Sequence, residues 1–491
     1  MKKLASTSFR TFYLLLILPS FLFIAFAQTS SKAEKIDELM NKYTDYLQFN
    51  GSVLVAEDGE VILKKGYGMA NMEWNIPNSP ETKHRLGSIT KQFTSMLIMQ
   101  LVDEGKLDLD KPVTTYLKDY PKETGDKISI HHLLTHTSGI PNYTSFPGFF
   151  QNQSRNPYTP KEFVKVFADS SLVFNPGEKF EYSNSGYFLL GVIIEEVTGK
   201  SYEENLKERI FDPLKMNDTG FDHHDEIIKN RATGYEQRGT EFINSPYLDM
   251  SIPYSAGSLY STVEDLYKWD RALKSNKILS EESKKLMFTM HKALGPLQGA
   301  GYGWYVGQQN FGKDTVNITG HGGGINGFNT LITRIPEDDN LIILLNNTGG
   351  KSLNEMTTAI SNIIYGNEYQ MPRKSGVMAL LKEISENGME SGLEFYNKFK
   401  DDETYNFNEG EMNSLGYQLL RSGKNEAAIE VFKLNVKAYP KSGNVYDSLG
   451  EAYLKNGNKK LALENYKKSV QIDPNNTNGL EVIKDLENNT D

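Results

Sequence analysis

Ser88 and Lys91 stand three residues apart in Gly87-Ser88-Ile89-Thr90-Lys91, the sole Ser-x-x-Lys in a sequence of 491 residues. A serine hydroxyl is a weak nucleophile at neutral pH and needs a base within hydrogen-bond reach. Residues three apart on a helix share a face. Apolar residues recur at helical spacing through Phe93, Met96, Leu97 and Leu101 and stop at Gly105, so the motif predicts a helix that opens at the serine. Lysine accepts a proton only when neutral, and both the positive end of a helix macrodipole and partial burial depress its pKa. The expected chemistry is attack by Ser88 with Lys91 as base. Since a solvated Ser and Lys can also open an ordinary helix, the meaning of the pair depends on its partners.

Two further motifs follow in order. Tyr182-Ser183-Asn184 comes after the turn Asn175-Pro176-Gly177-Glu178 and precedes an apolar helix beginning near Tyr187. A phenol beside an amine relays a proton, and an amide two residues on binds a substrate carbonyl. Tyr365-Gly366-Asn367 repeats the Tyr-x-Asn pattern at a domain junction and is read as chance. His321-Gly322-Gly323-Gly324 is the single His-x-Gly of the chain. Glycines in an edge strand admit close approach of a substrate backbone, and a free N–H there can donate to an oxyanion. Gly324 N–H is the expected donor, with the Ser88 N–H as its partner.

The order Ser-x-x-Lys, Tyr-x-Asn, His-x-Gly resembles the serine β-lactamase and penicillin-binding-protein superfamily, in its class C and D-alanyl-D-alanine carboxypeptidase branch. His132 to Gly139 (HLLTHTSG), Ala256 to Thr262 (AGSLYST) with Asp265, and Gly320 to Gly327 resemble it too, and the likeness covers about residues 35 to 365. The resemblance implies that Ser88 attacks the carbonyl, that Lys91 and Tyr182 share the base and acid work, and that Asn184 orients the acyl amide. It places His321, Gly322, Gly323 and Gly324 on the strand beside the substrate. The chain departs from the pattern where the usual Lys-Thr-Gly is His-Gly-Gly. An unperturbed imidazole titrates near ~6.5, so His321 is a weaker anchor for a substrate carboxylate than lysine.

Other chemistries are disfavoured. His132 and His136 have the spacing of a zinc helix, but Leu133 occupies the place of the metalloprotease glutamate, and a structural role is expected for both. No Gly-x-Ser-x-Gly elbow occurs. No metal and no cofactor is expected.

Lys2, Lys3 and Arg10, an apolar run from Phe12 to Phe26 broken by Pro19, and Ala25-Phe26-Ala27 before Gln28 read as a signal peptide over residues 1–27, too short and broken for a membrane span. The mature chain is expected to be secreted or periplasmic, with no integral span after cleavage. With 0 cysteines, stability must come from packing, and the hydrophobic fraction of 38% is ample for it. Loss of the leader moves the formal charge from −10 to about −13, which disfavours nucleic acid as a partner.

A helix is predicted over residues 33–47, then a hairpin from Ser52–Ala56 and Val61–Lys65 around Asp58-Gly59. Residues 106 to 295 read as a mainly helical lobe. Strands return at Tyr302–Val306, Val316–Thr319, Thr330–Ile335 and Leu341–Leu345, before a helix from about Leu353 to Ile364. Early and late strands can then pair into one antiparallel sheet, an α+β fold with an inserted helical lobe over residues 28–370. From 371 to 491 the character changes. Leu415, Gly416, Ala428, Phe432 and Pro440 are matched 34 residues later by Leu449, Gly450, Ala462, Tyr466 and Pro474. That period resembles tetratricopeptide repeats. Residues 377–400 are expected to add a degenerate helix pair, and 478–487 a capping helix.

The expected function is that of an exported serine hydrolase working through an acyl-enzyme on amide or ester substrates: a β-lactam, a D-amino-acid peptide or a small ester. The repeats are expected to serve a protein partner and to leave the chemistry alone. The alternative is a binding protein that senses penicillins or peptidoglycan fragments without turnover.

Overall fold

The computed structural model describes residues 31–238, 241–350 and 352–488; the predicted signal peptide lies outside the described residues. The chain divides into two compact units at Met371/Pro372. No described helix is long and apolar enough to cross a membrane.

The first unit is built on an eight-stranded antiparallel sheet in which the chain's early and late strands meet. Its order is Lys292–Ala293, Gln298–Ala300, Tyr305–Phe311, Asp314–Ile325, Phe328–Ile335, Asn340–Asn346, Gly51–Glu57 and Glu60–Tyr67. The join is the register Gly51↔Asn346 to Ala56↔Leu341. Both strands there are almost wholly buried, because each face carries a layer. On one face Val53, Val55, Ile342 and Leu344 pack against the N-terminal helix (residues 31–45) and the helix Asn354–Ile364. On the other, Leu54, Ile343 and Leu345 join the core of the helical lobe. The first hairpin closes with Asp58 and Gly59 both at positive φ, as a two-residue turn of matching twist requires.

The strand that carries the glycines runs from Asp314 to Ile325 and is longer than its apolar pattern predicts. Its glycines carry no hydrophobic signal, while backbone pairing with Phe328–Ile335 continues from Thr319↔Arg334 to Ile325↔Phe328. Pairing with the strand on its other side ends at Tyr305↔Gly320. Residues 321–325 therefore have a ladder on one edge only, and the free edge faces the serine turn.

The helix Thr90–Asp103 is buried from Thr90 through Leu101, with Phe93 stacked on Trp269 at 4.4 Å between centroids. The turn that precedes it is anchored by charge. Arg85 Nε donates to Asp222 Oδ2 at 2.7 Å and Arg231 Nη1 to Asp222 Oδ1 at 2.6 Å, with the carboxylate fully buried. Strand pairing His84↔Ser261 and Arg85↔Tyr260 fixes the same segment from the backbone.

Apart from a short parallel pair of strands, Lys374–Ser375 with Tyr405–Asn406, the second unit is built of helices: Gly376–Asn387, Met389–Phe399, Glu409–Arg421, Asn425–Ala438, Gly443–Lys455, Lys459–Ile472 and Thr477–Asn488. The repeat is physical. A Cβ on Gly416 would lie 2.4 Å from Phe432, and one on Gly450 3.0 Å from Tyr466, so each glycine admits the ring 16 residues on.

Removing the Asp222 charge leaves two guanidinium groups without their partner, one of them on Arg85, two residues from Gly87. The variant D222N should lower unfolding free energy by about 3 kcal/mol, the low end for a broken buried pair because both arginines keep some solvent. All 3 tryptophans, at 74, 269 and 304, lie in the first unit, so urea titration by tryptophan fluorescence reads this unit alone. An unchanged midpoint would contradict the anchoring role.

Candidate active site

Ser88 sits in a single 3-10 turn, Gly87–Ile89, and the α-helix begins at Thr90. The turn makes two close backbone approaches possible. Gly87 has φ +55°, in the left-handed region, and a Cβ there would lie 2.9 Å from Gly324 N and 3.0 Å from Gly324 O. Gly323 lies over the residue before the turn, where a Cβ would stand 1.9 Å from the Leu86 carbonyl oxygen. Thr330 Oγ1 donates to that same oxygen at 2.7 Å and ties the sheet to the turn. Glycine is thus required on both sides of the junction between nucleophile and strand.

Lys91 lies one helical turn beyond Ser88 and is completely buried. Its Nζ is 2.7 Å from Ala256 O, 2.8 Å from Asn184 Oδ1 and 3.1 Å from Ser88 Oγ. Burial, one of the two causes expected from the sequence, pushes its pKa well below the ordinary lysine value. A neutral amine has two hydrogens and one lone pair. The two carbonyl oxygens take the hydrogens, and the lone pair is left for the Ser88 hydroxyl.

Tyr182 Oη donates to Ser88 Oγ at 2.8 Å. Burial drives its pKa well above that of a free phenol, with the Ser88 contact opposing in part, so the proton stays on the ring oxygen. The position of Tyr182 follows from the next helix, Asn184–Thr198, which is capped by the Ser183 side chain accepting from Gly186 N. That cap sets Tyr182 just outside the helix and Asn184 at its first residue. Asn184 N donates to Asn142 Oδ1 at 3.2 Å, and its side-chain oxygen is committed to Lys91.

His136 was expected to be structural beside His132, but the two do separate things. The helix that carries His132 is only Ile130–Leu134, and His132 closes a capping box with Ser129 there. His136 lies beyond its end at φ +58°, stacks on the Tyr182 ring at 4.4 Å and accepts from Ser183 N through Nδ1 at 3.1 Å. Burial, with Lys91 and His321 nearby, holds its pKa well below the usual imidazole value, which suits the acceptor role. The stretch Thr135 to Gly139 signalled it in sequence, though not as a support for the tyrosine.

The four-residue His-Gly-Gly-Gly run is split by strand alternation. Gly322 and Gly324 are exposed, while His321 and Gly323 are buried, and of the four only Gly324 lines the cleft beside Ser88. His321 packs on Tyr305 at 5.1 Å and Tyr182 at 6.4 Å between centroids, with Nδ1 against Gly322 O. Burial pushes its pKa down to about 4, with Lys91 adding to the effect, so it is a neutral ring at pH 7. Of the residues expected to touch substrate, His321 and Gly323 therefore stand behind the surface. The Tyr365 copy lies elsewhere, its hydroxyl on Asp338, and Asn367 donates to Phe311 O at 2.9 Å. Among the described residues no group of three or more His, Cys, Asp or Glu is placed to hold a metal.

The cleft over Ser88 encloses about 360 Å³. Phe149, Phe150, Leu248 and Ile252 give it an apolar wall, with Asn184 and Gly324 at the nucleophile. The arrangement can deprotonate Ser88 toward Lys91, hold a carbonyl oxygen at Gly324, and return a proton from Tyr182.

Penicillin-binding protein 4* of Bacillus subtilis is 30% identical over 366 residues, which cover 70% of this chain and 78% of that protein. The octameric penicillin-binding protein homologue from Pyrococcus abyssi superposes with a TM-score of 0.61 at 31% identity, covering 72% of this chain and 81% of that one. The D-amino acid amidase from Ochrobactrum anthropi SV3, complexed with L-phenylalanine, gives 0.60 at 29% identity over 68% of this chain and 99% of the amidase. Residues 443–476 match the tetratricopeptide repeat. Residues 36–363 match the beta-lactamase family, and with that match spanning the sheet, the helical lobe and the serine turn, the chain belongs to the beta-lactamase family and is a serine hydrolase in general type.

Proposed function

We propose that the protein is an exported hydrolase that cleaves amide or ester bonds through an acyl-Ser88 intermediate, with Lys91 as base, Tyr182 as the proton donor to the leaving group, and Gly324 and Ser88 N–H groups as the oxyanion site. The observation that carries this reading is the double contact on one oxygen: Ser88 Oγ lies 3.1 Å from a desolvated amine and 2.8 Å from a protonated phenol. The base takes the hydroxyl proton as the oxygen attacks, the Tyr182 proton passes to the leaving oxygen or nitrogen, the Lys91 ammonium returns its proton to the Tyr182 phenolate, and water then repeats the sequence on the acyl-serine. Likeness to penicillin-binding proteins and to a D-amino acid amidase supports amide-type substrates. The Lys2–Ala27 leader supports export. The tetratricopeptide repeat supports a protein partner for the second unit, since such arrays present concave peptide-binding surfaces.

The neutral ring at 321 bears on which substrates are favoured. A penicillin or cephalosporin carries a carboxylate, and a buried imidazole with its pKa near 4 offers that group no charge at neutral pH. Small esters and uncharged amides lose nothing by this, so they are favoured over β-lactams as substrates.

Replacing Ser88 with alanine should abolish covalent labelling by a fluorescent phosphonate, and labelling at the wild-type level would sink the assignment. Tyr182→Phe should cost about 10² to 10⁴ in kcat/KM for an ester, the range of a lost general acid or base. Activity requires neutral Lys91, so kcat/KM should rise with pH through a single limb well below 10.5 and show no phenol limb before the ordinary tyrosine pKa of 10.0. A limb at the ordinary lysine position would mean that the amine is solvated. For a cephalosporin and its methyl ester, the ratio of kcat/KM should stay flat between about pH 5 and 8; a rise as the pH falls through ~6.5 would reveal an imidazolium at 321.

A further inference from the structure

Apart from the apolar wall, the lining of the cleft holds one charged side chain among the described residues, and it is Glu236. Glu236 belongs to the hairpin strand Tyr235–Arg238, which is fixed from the backbone: Tyr235 N donates to Asn347 O at 3.0 Å and Gly349 N to Tyr235 O at 2.7 Å. The Tyr235 hydroxyl points away from the cleft, donating to Glu73 Oε2 at 2.6 Å and accepting from Met72 N at 2.7 Å. Successive residues of a strand face opposite ways, so a Tyr235 held in this manner turns Glu236 into the cleft. The half-buried carboxylate has neither an ion pair nor a hydrogen bond to another described residue. A carboxylate that shares the cleft with the nucleophile and has no cation among the described residues is a receptor for one in the ligand.

The end of the substrate that meets it follows from the site. Tyr182, the donor to the leaving group, stands beside His321, and the strand runs from His321 through Gly324 into the turn at Gly327. Gly349 bridges that turn to the carboxylate: a Cβ on it would lie 3.5 Å from Gly327 N and 3.5 Å from Glu236 Cγ. Glu236 thus lies past the oxyanion position on the side away from the leaving group, where the acyl part must rest.

We propose that Glu236 selects substrates whose acyl part carries a free ammonium group, so that the enzyme acts on aminoacyl esters and amides in preference to neutral or anionic acyl groups; this rests on the serine-hydrolase reading given above. The carboxylate contributes by electrostatic complementarity to the ammonium and by repelling carboxylates from the same place, and it takes no part in bond making. The neutral His321 behind the cleft and the anionic Glu236 in its lining then agree, since neither welcomes an anionic substrate.

The test compares p-nitrophenyl esters of D- and L-alanine with that of isobutyrate, in which a methyl replaces the ammonium, on the full chain with spontaneous hydrolysis subtracted. Wild-type enzyme should favour one alanyl ester over the isobutyryl ester at least tenfold in kcat/KM. Glu236→Gln should cut that ratio about tenfold, and Glu236→Lys should reverse the preference so that p-nitrophenyl hemisuccinate, whose acyl part ends in a carboxylate, is cleaved faster than either alanyl ester, with near-ultraviolet circular dichroism verifying the fold of each. A wild-type ratio near one, or a ratio unchanged in both variants, overturns the proposal. Ser88→Ala separates the two levels of inference. Turnover of the isobutyryl ester that survives in this variant overturns the serine mechanism itself, whereas its loss together with an unchanged ratio in the Glu236 variants overturns only the ammonium preference.

Discussion

The amine of Lys91 is held without solvent between three oxygens, and most of the first unit exists to keep it there. Desolvation alone pushes an ammonium toward its neutral form, but an amine with no partners would be an orphaned polar group, and burying one costs about 1–3 kcal/mol. The fold resolves both demands at once. Asn184 Oδ1 and Ala256 O take the two hydrogens and so aim the lone pair at Ser88 Oγ. Each of the three oxygens comes from a different part of the chain: the turn before the helix, the first residue of Asn184–Thr198, and the 3-10 turn Tyr254–Ala256. The basicity of one side chain therefore depends on the docking of the helical lobe against the sheet.

The same logic extends outward through neutral histidines. His136 and His321 flank the Tyr182 ring, and both are held below the usual imidazole value by burial. Charging either would place a cation beside the amine that must be neutral. Where a lysine at position 321 would bring a permanent positive charge to this spot, the histidine keeps the surroundings of Lys91 uncharged. The physical consequence is a site organised around neutral donors and acceptors, with its sole cleft-lining charge, among the described residues, on Glu236.

Close approach is the second constraint. The strand can present Gly324 to the serine only because Gly87 adopts φ +55° and because Gly323 leaves room for the Leu86 carbonyl. A side chain at 323 would push the strand from the turn and open the oxyanion position. The interruption of pairing after Tyr305↔Gly320 matters equally, since a strand laddered on both edges would have no N–H to offer.

Much of this was legible in the residues. The Ser-x-x-Lys spacing puts both groups on one face whatever the fold around them, since helical geometry depends only on local dihedrals. The 34-residue period fixed the repeat units for a similar reason: each repeat packs on its neighbour, so the contact between Gly416 and Phe432 is already written in local sequence and recurs at Gly450 and Tyr466. The pairing of early with late strands could be inferred from strand-like runs lying on either side of the helical lobe in the sequence. What only the tertiary structure decided are quantities made by distant segments. The complete burial of Lys91, the stacking of His136 on Tyr182, the retreat of His321 behind the cleft surface and the solitary carboxylate of Glu236 all arise where segments far apart in sequence meet. Sequence spacing carries geometry along a helix or a strand, but desolvation is a property of everything packed around a group, and no local pattern records it.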